Sequence, residues 1–239
     1  MDNWVFPVGT KVWKEFRVGG KLIETRLLLK VYNNPGGWWE VAYVWTDDGS
    51  DAIASVNGTP DAGNTSHDVP SQEDCLKCHS NVSDVIIGVS AIQLSSANGK
   101  GTLSQLAAMG LLSAPPTKEF QPPGQGNLQE ALGYLHGNCG HCHNELSEYD
   151  HATVLKLRLH VGDATPEATN IYKTSINVKM FHKMPPDIDL AVVPGAPERS
   201  QLWVRMGVRD DWSMPPVCSK VPDATGLAVV KDWIVGLPH

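Results

Sequence analysis

The chain lacks any long apolar run. Nothing in it approaches the roughly 20 residues that cross a bilayer as a helix, so no membrane span is expected. It is also short of charge: Asp, Glu, Lys and Arg make up only 19% of it, and the balance is acidic, at −7. That balance argues against nucleic acid as a partner and suits docking to a basic patch on another protein. Residues 1–15 have no basic stretch leading into an apolar one. No signal peptide is therefore expected there, and an exported protein would be represented here in its mature form. No cysteine lies near the N-terminus, so no lipid anchor is expected at that end.

Cysteine is scarce and its number is odd: five residues, too few and wrongly counted for a disulfide framework. Four of them form two CxxCH motifs, Cys75-Leu76-Lys77-Cys78-His79 and Cys139-Gly140-His141-Cys142-His143. Thiols three positions apart on a helical turn reach the two vinyl groups along one porphyrin edge, and the following His turns its imidazole to the iron. The motifs therefore predict two covalent haem c groups, with His79 and His143 as proximal ligands. A four-Cys zinc site is the competing interpretation. It leaves unexplained why a His follows the second Cys in both places. A thioredoxin-like redox pair would occur once, inside a βαβ pattern. The remaining cysteine, Cys218, is expected to be a free, buried thiol.

An electron-transfer haem fills its sixth iron position, and Met is favoured because its thioether stabilises reduced iron. Two Met-Pro-Pro triplets occur, at Met184 and Met214. Proline fixes φ and has no N–H, so such a loop is stiff enough to hold a sulfur in place. Met214 follows the second motif and precedes a final helix, the order of a class I cytochrome c, and is the expected ligand of the second haem. For the first haem the candidates are Met184, Met109 and His67. Met109 lies on an apolar helix face, where a core Met is commoner; His67 lies in a polar stretch, where a solvated His is commoner. His141, inside the second motif, is expected to be exposed, and His136, three residues ahead of that motif, to cap or pack; no constellation surrounds His151, His160, His182 or His239.

The fold class expected is α+β: an antiparallel β meander followed by two mainly α-helical, class I-like cytochrome c modules. Strands are expected at Lys11–Val18, Lys21–Tyr32 and Trp38–Trp45, broken at Gly19-Gly20, Asn33-Asn34-Pro35-Gly36-Gly37 and Asp47-Asp48-Gly49-Ser50. Residues 57–71 and 115–127 have linker composition. Helical spacing of apolar residues marks Thr102–Leu112, Asn127–Gly137, Pro197–Met206 and Ala224–Leu237. The domains expected are 1–66 (β-rich), 67–122 (first haem module) and 123–239 (second haem module).

The segment Leu132-Gly133-Tyr134-Leu135-His136-Gly137-Asn138-Cys139-Gly140-His141-Cys142-His143-Asn144 resembles the second haem segment of a bacterial family of exported dihaem cytochromes c. The resemblance extends to Phe6-Pro7-Val8-Gly9-Thr10, Glu24-Thr25-Arg26-Leu27-Leu28, Tyr43-Val44-Trp45, Asp51-Ala52, Val193-Pro194-Gly195-Ala196-Pro197 and Met214-Pro215-Pro216, and so covers nearly the whole chain. Met184 and Met109 match no motif of that family. The resemblance implies a periplasmic or extracellular dihaem protein with a β region ahead of its cytochrome modules. The expected role is electron transfer between a redox donor protein and an acceptor protein, by Fe(III)/Fe(II) cycling, rather than enzyme catalysis. The alternatives are a dihaem peroxidase or oxidase with an open site at the first haem, and a cytochrome subunit of a larger dehydrogenase.

Overall fold

A computed structural model describes residues 1–33, 37–96, 101–148 and 153–238. It divides into two compact units, and neither is a single stretch of chain. One comprises Val5–Ile86 and Val208–Pro222; the other comprises Met1–Trp4, Ile87–Gly207 and Asp223–His239. The expected domains follow the chain linearly, whereas these units interleave along it.

In the first unit, Gly19 and Gly20 both have positive φ, 56° and 85°. A two-residue type I′ hairpin turn needs that conformation at both central positions, and glycine enters it without a Cβ clash. The turn joins β1 (Lys11–Val18) to β2 (Lys21–Lys30); β3 (Trp38–Trp45) and β4 (Ala52–Ser55) complete a four-stranded antiparallel sheet in sequential order. β2 stops at Lys30, short of the expected Tyr32, because the N–H groups of Val31 and Tyr32 both donate to the Gly37 carbonyl and already belong to the turn. Asn34, Pro35 and Gly36 of that expected break lie outside the described residues. The apolar core here is small: Ile23, Ala42, Ala62 and Val69, with Val44 against them. Residues 57–71, expected as a linker, instead form a packed loop. Thr59 and Val69 exchange backbone hydrogen bonds at 2.9 Å, and Ala62 and Val69 are buried. Gly58 (φ 81°) makes this possible, since a Cβ there would meet the Val69 carbonyl oxygen at 2.9 Å. The loop leads into α1 (Gln72–His79), which the Gln72 side chain ties to the Glu40 carbonyl of β3 at 2.5 Å.

The second unit carries α2 (Ala91–Leu94), α3 (Thr102–Ala108), α4 (Gly126–Asn138), α5 (Asn170–Ser175), the hairpin β5–β6 (Lys179–Met184, Ile188–Leu190), α6 (Gln201–Gly207) and α7 (Ala224–Val235). Its core joins Ala131, Leu132 and Leu135 of α4 to Val230, Trp233 and Ile234 of α7, with Leu155, Leu157 and Leu159 of an extended segment. The two helices approach closely because α7 offers Gly226 to Tyr134, where a Cβ would lie 2.1 Å from the ring. Asp223 caps α7 through the Thr225 and Gly226 N–H groups and also accepts from the Tyr134 hydroxyl at 3.1 Å, so one carboxylate fixes both helices. α3 ends before the expected Leu112: Gly110 (φ 71°) adopts the left-handed conformation that closes helices, and the Leu111 N–H turns back to the Leu106 carbonyl. The expected helix at Pro197–Met206 is a 3₁₀ turn, Pro197–Arg199, followed by α6. No helix among the described residues is long and apolar enough to cross a membrane.

Candidate cofactor-attachment sites

Cys75, Cys78 and His79 occupy the C-terminal half of α1. The helix starts where it does because Ser71 and Asp74 form a reciprocal capping box. His79 Nδ1 donates to the Val85 carbonyl at 2.6 Å. That bond holds the proton on Nδ1 and leaves the lone pair on Nε2, the tautomer of a metal-ligating His braced by a backbone carbonyl. Val85 is a β-branched residue at φ 66°, an uncommon conformation. The loop is held there by Asp84, which accepts from Lys30 Nζ (2.6 Å), the Phe6 N–H (2.7 Å) and Trp38 Nε1 (2.8 Å). Burial of Asp84 would raise its pKa; these three donors outweigh it and hold the carboxyl below its ordinary value.

The second motif begins as α4 ends. The N–H groups of Cys139 and Gly140 both reach the Leu135 carbonyl, and those of Cys142 and His143 both reach the Cys139 carbonyl. The extended segment runs directly against this turn, with the Leu157 N–H donating to the His143 carbonyl at 2.8 Å. Gly140 permits the approach: a Cβ would sit 2.7 Å from the His136 carbonyl oxygen and 3.0 Å from Arg158 Cα. His136 staples the same segment, its Nδ1 accepting from the Leu159 N–H at 3.1 Å and its Nε2 facing Ser90 Oγ at 3.3 Å. Burial, followed by the Arg158 charge, pushes its pKa down to about 4. His143 is intermediate in exposure, but its Nδ1 is buried without a hydrogen-bond partner among the described residues. Burial is the main cause that pushes its pKa down to about 4, with the charges of His141, Lys156 and Arg205 adding to the fall. Its imidazole is therefore neutral at neutral pH, the form that binds metal.

The other candidates are distributed between the units. Met214 lies in Val208–Pro222, in the unit of His79, and is half-buried. Met184 ends β5, in the unit of His143, and is buried. Met109 is 70% exposed at the end of α3 in that second unit. His67, in the unit of His79, is already committed: its Nε2 meets Glu24 Oε2 at 2.7 Å and its ring lies against Phe16. Cys218 is a free thiol as expected, but exposed rather than buried, in a stretch of turns too polar to enclose it. His141, expected to be exposed, is half-buried; His151 and His239 lie outside the described residues.

The residues fit the haem c implied by the motifs. All four motif thiols are free of disulfides, a neutral or lone-pair-bearing imidazole follows each pair, and apolar Leu76 and Leu146 stand about half exposed beside them. Sequence patterns gave no signal for Val85, Asp84 or Leu157, which position the motifs through backbone and ion-pair contacts. Gly140 was visible as a glycine but not as a point of close approach. Comparisons with family models, curated proteins and solved structures gave no match.

Proposed function

We propose that this chain is a dihaem c-type cytochrome, exported to the periplasm or beyond the cell, that carries electrons between a donor and an acceptor protein. When bound, each haem supplies a one-electron Fe(III)/Fe(II) couple. Cys75 and Cys78, and Cys139 and Cys142, form the thioether links that retain it; His79 and His143 bind the proximal face. The observation that carries this reading is the His79 Nδ1–H bond to the Val85 carbonyl, since a zinc ribbon built on the four thiols has no use for a braced imidazole beside them. In the helical unit, α4 running into its motif and crossing α7 at Gly226 supports a class I-like module. The motif on α1 belongs to a sheet unit, so its module is of a different build.

The test is production of the chain with the c-type haem maturation machinery. Expected are a mass increase of two haems, loss of one haem on Cys75→Ser/Cys78→Ser and of the other on Cys139→Ser/Cys142→Ser, and reversible one-electron titration of both. A chain that matures without covalent haem, or that instead holds one zinc through its thiols, overturns the proposal.

A further inference from the structure

We infer, independently of the dihaem reading, that the open edge of the sheet binds a second copy of this chain, the two β1 strands pairing antiparallel about a two-fold axis at Trp13. β1 ends the sheet and pairs only with β2. The Lys30 N–H donates to the Thr10 carbonyl at 2.9 Å, so Thr10, just ahead of β1, faces β2. Every second residue of an antiparallel strand does the same. Val12, Lys14 and Phe16 therefore face β2, and the N–H and C=O groups of Lys11, Trp13 and Glu15 face away from it. Among the described residues nothing bonds to those groups. All three residues are exposed, Trp13 by 56%. Such a row is a template for another strand. The opposite edge offers less. The Ala52 N–H of β4 is taken by Asp51 Oδ1 at 2.7 Å, and the Val56 carbonyl just beyond β4 by the Gln72 N–H at 3.0 Å.

The order of charges along β1 selects both the occupant and the register. Lys11, Trp13 and Glu15 alternate along the strand and so share one face. With Trp13 opposite Trp13 of the second copy, Lys11 falls opposite Glu15 of that copy, and Glu15 opposite its Lys11. The outward backbone groups meet in this register, and opposite charges directly across a strand pair stabilise it. Sliding by two residues one way sets Lys11 against Trp13 and loses both ion pairs. Sliding by two the other way sets Lys11 against Arg17 and Lys14 against Lys14, all like charges. A slip of one residue turns the outward groups away from each other. At the axis the two Trp13 rings form a cross-strand aromatic pair; each already lies against Tyr43 of β3, with ring centroids 6.4 Å apart. Basic residues on an edge strand ordinarily discourage pairing. Here Glu15 lies between two of them, bound to Arg17 at 2.9 Å in its own strand and open to Lys11 of the second copy. Lys14 points to the other face, its ammonium 4.9 Å from the centre of the Phe16 ring. Pairing of this self-complementary kind closes at two copies and joins the two four-stranded sheets into one.

The test is sedimentation equilibrium of the full chain from micromolar to millimolar concentration. A monomer–dimer equilibrium is expected, weakened by added salt. Lys11→Glu and Glu15→Lys, each alone, set like charges opposite each other twice in every dimer. Each is expected to weaken association about tenfold or more. An equimolar mixture of these two variants recovers opposite charges at both places, as does the double variant Lys11→Glu/Glu15→Lys, and both are expected to restore the dimer. Amide hydrogen exchange supplies a second readout. Exchange at Lys11, Trp13 and Glu15 is expected to slow as concentration rises, whereas Val12 and Lys14, bonded to β2, are slow throughout. A chain that stays monomeric at millimolar concentration leaves the edge to a different protein and overturns the pairing. A dimer indifferent to both single variants, or one that the mixture fails to restore, forms through another surface and overturns it too.

Discussion

Around Cys75 the ionisable neighbours are Arg26, Glu40, Cys218 and Glu24; around Cys139 burial acts alone. Burial pushes the first thiol up to about 11 with those charges contributing, and the second up to about 12 without them. The same five-residue spacing is thus set on two different supports. In the sheet unit, a small apolar core is supplemented by paired carboxylates, Asp84 with Lys30 and Glu24 with Arg26, and Glu24 also meets the His67 ring. In the helical unit, the motif is pinned by backbone contacts against a large apolar core. The difference teaches that one five-residue motif can be set on two unlike supports, its surroundings being left to the fold.

The largest effect is expected from breaking the ionic support. Asp84→Ala leaves the Lys30 ammonium, 3% exposed, without its counter-charge. Loss of one partner of a buried pair costs about 3–5 kcal/mol. Urea unfolding of the sheet unit is expected to shift by that amount, and in protein loaded with the proposed haem the low-spin signature of the His79 site is expected to be lost as the Val85 loop is released. An Asp84→Ala protein with unchanged unfolding would mean that the sheet unit does not depend on its buried charges.

A somewhat smaller effect is expected from the packing support of the other motif. Gly140→Ala places a Cβ against backbone atoms at 2.7 and 3.0 Å, which can yield only by moving the extended segment. Overpacking of this kind costs about 1–3 kcal/mol. Leu76 holds the corresponding position in the first motif and is 53% exposed, so Leu76→Ala is expected to cost less than about 1 kcal/mol. Thermal unfolding of the two variants side by side checks the contrast; equal losses would erase it.

The strands were legible because their signals are local. Lys11–Val18 and Trp38–Trp45 run between turn residues with β-branched and aromatic side chains, and α4 and α7 have apolar faces at helical spacing. The hairpin β5–β6 was not legible: β6 has three residues, too few to display a period, and Met184-Pro185-Pro186 reads as a stiff loop when it is in fact a strand end and its turn. The motifs were plain in the sequence as fixed residue types at a fixed spacing. That Val208–Pro222, with Met214, returns to the sheet unit was hidden, a long-range placement that no short pattern encodes.

A more modest effect than that of Asp84→Ala sharpens the electrostatic half of the contrast. Glu40 Oε2 is buried without a hydrogen-bond partner among the described residues, and burial raises its pKa from 4.5 to about 7. The folded protein thus holds this proton more tightly than the unfolded chain does. Stability must then fall as pH rises between about 4.5 and about 7, and the full penalty persists above that window. At 1.36 kcal/mol per pKa unit, reduced for residual solvent screening, the penalty is about 1–2 kcal/mol. Glu40→Gln keeps the backbone carbonyl that accepts from Gln72 and removes the charge. It is expected to leave stability near pH 5 little changed and to raise it by that amount at pH 8. Denaturant titrations of both proteins across this range measure the slope directly. Parallel slopes would show that the carboxyl reaches solvent when ionised, and the charged surroundings of the first motif would then impose no pH dependence on its unit.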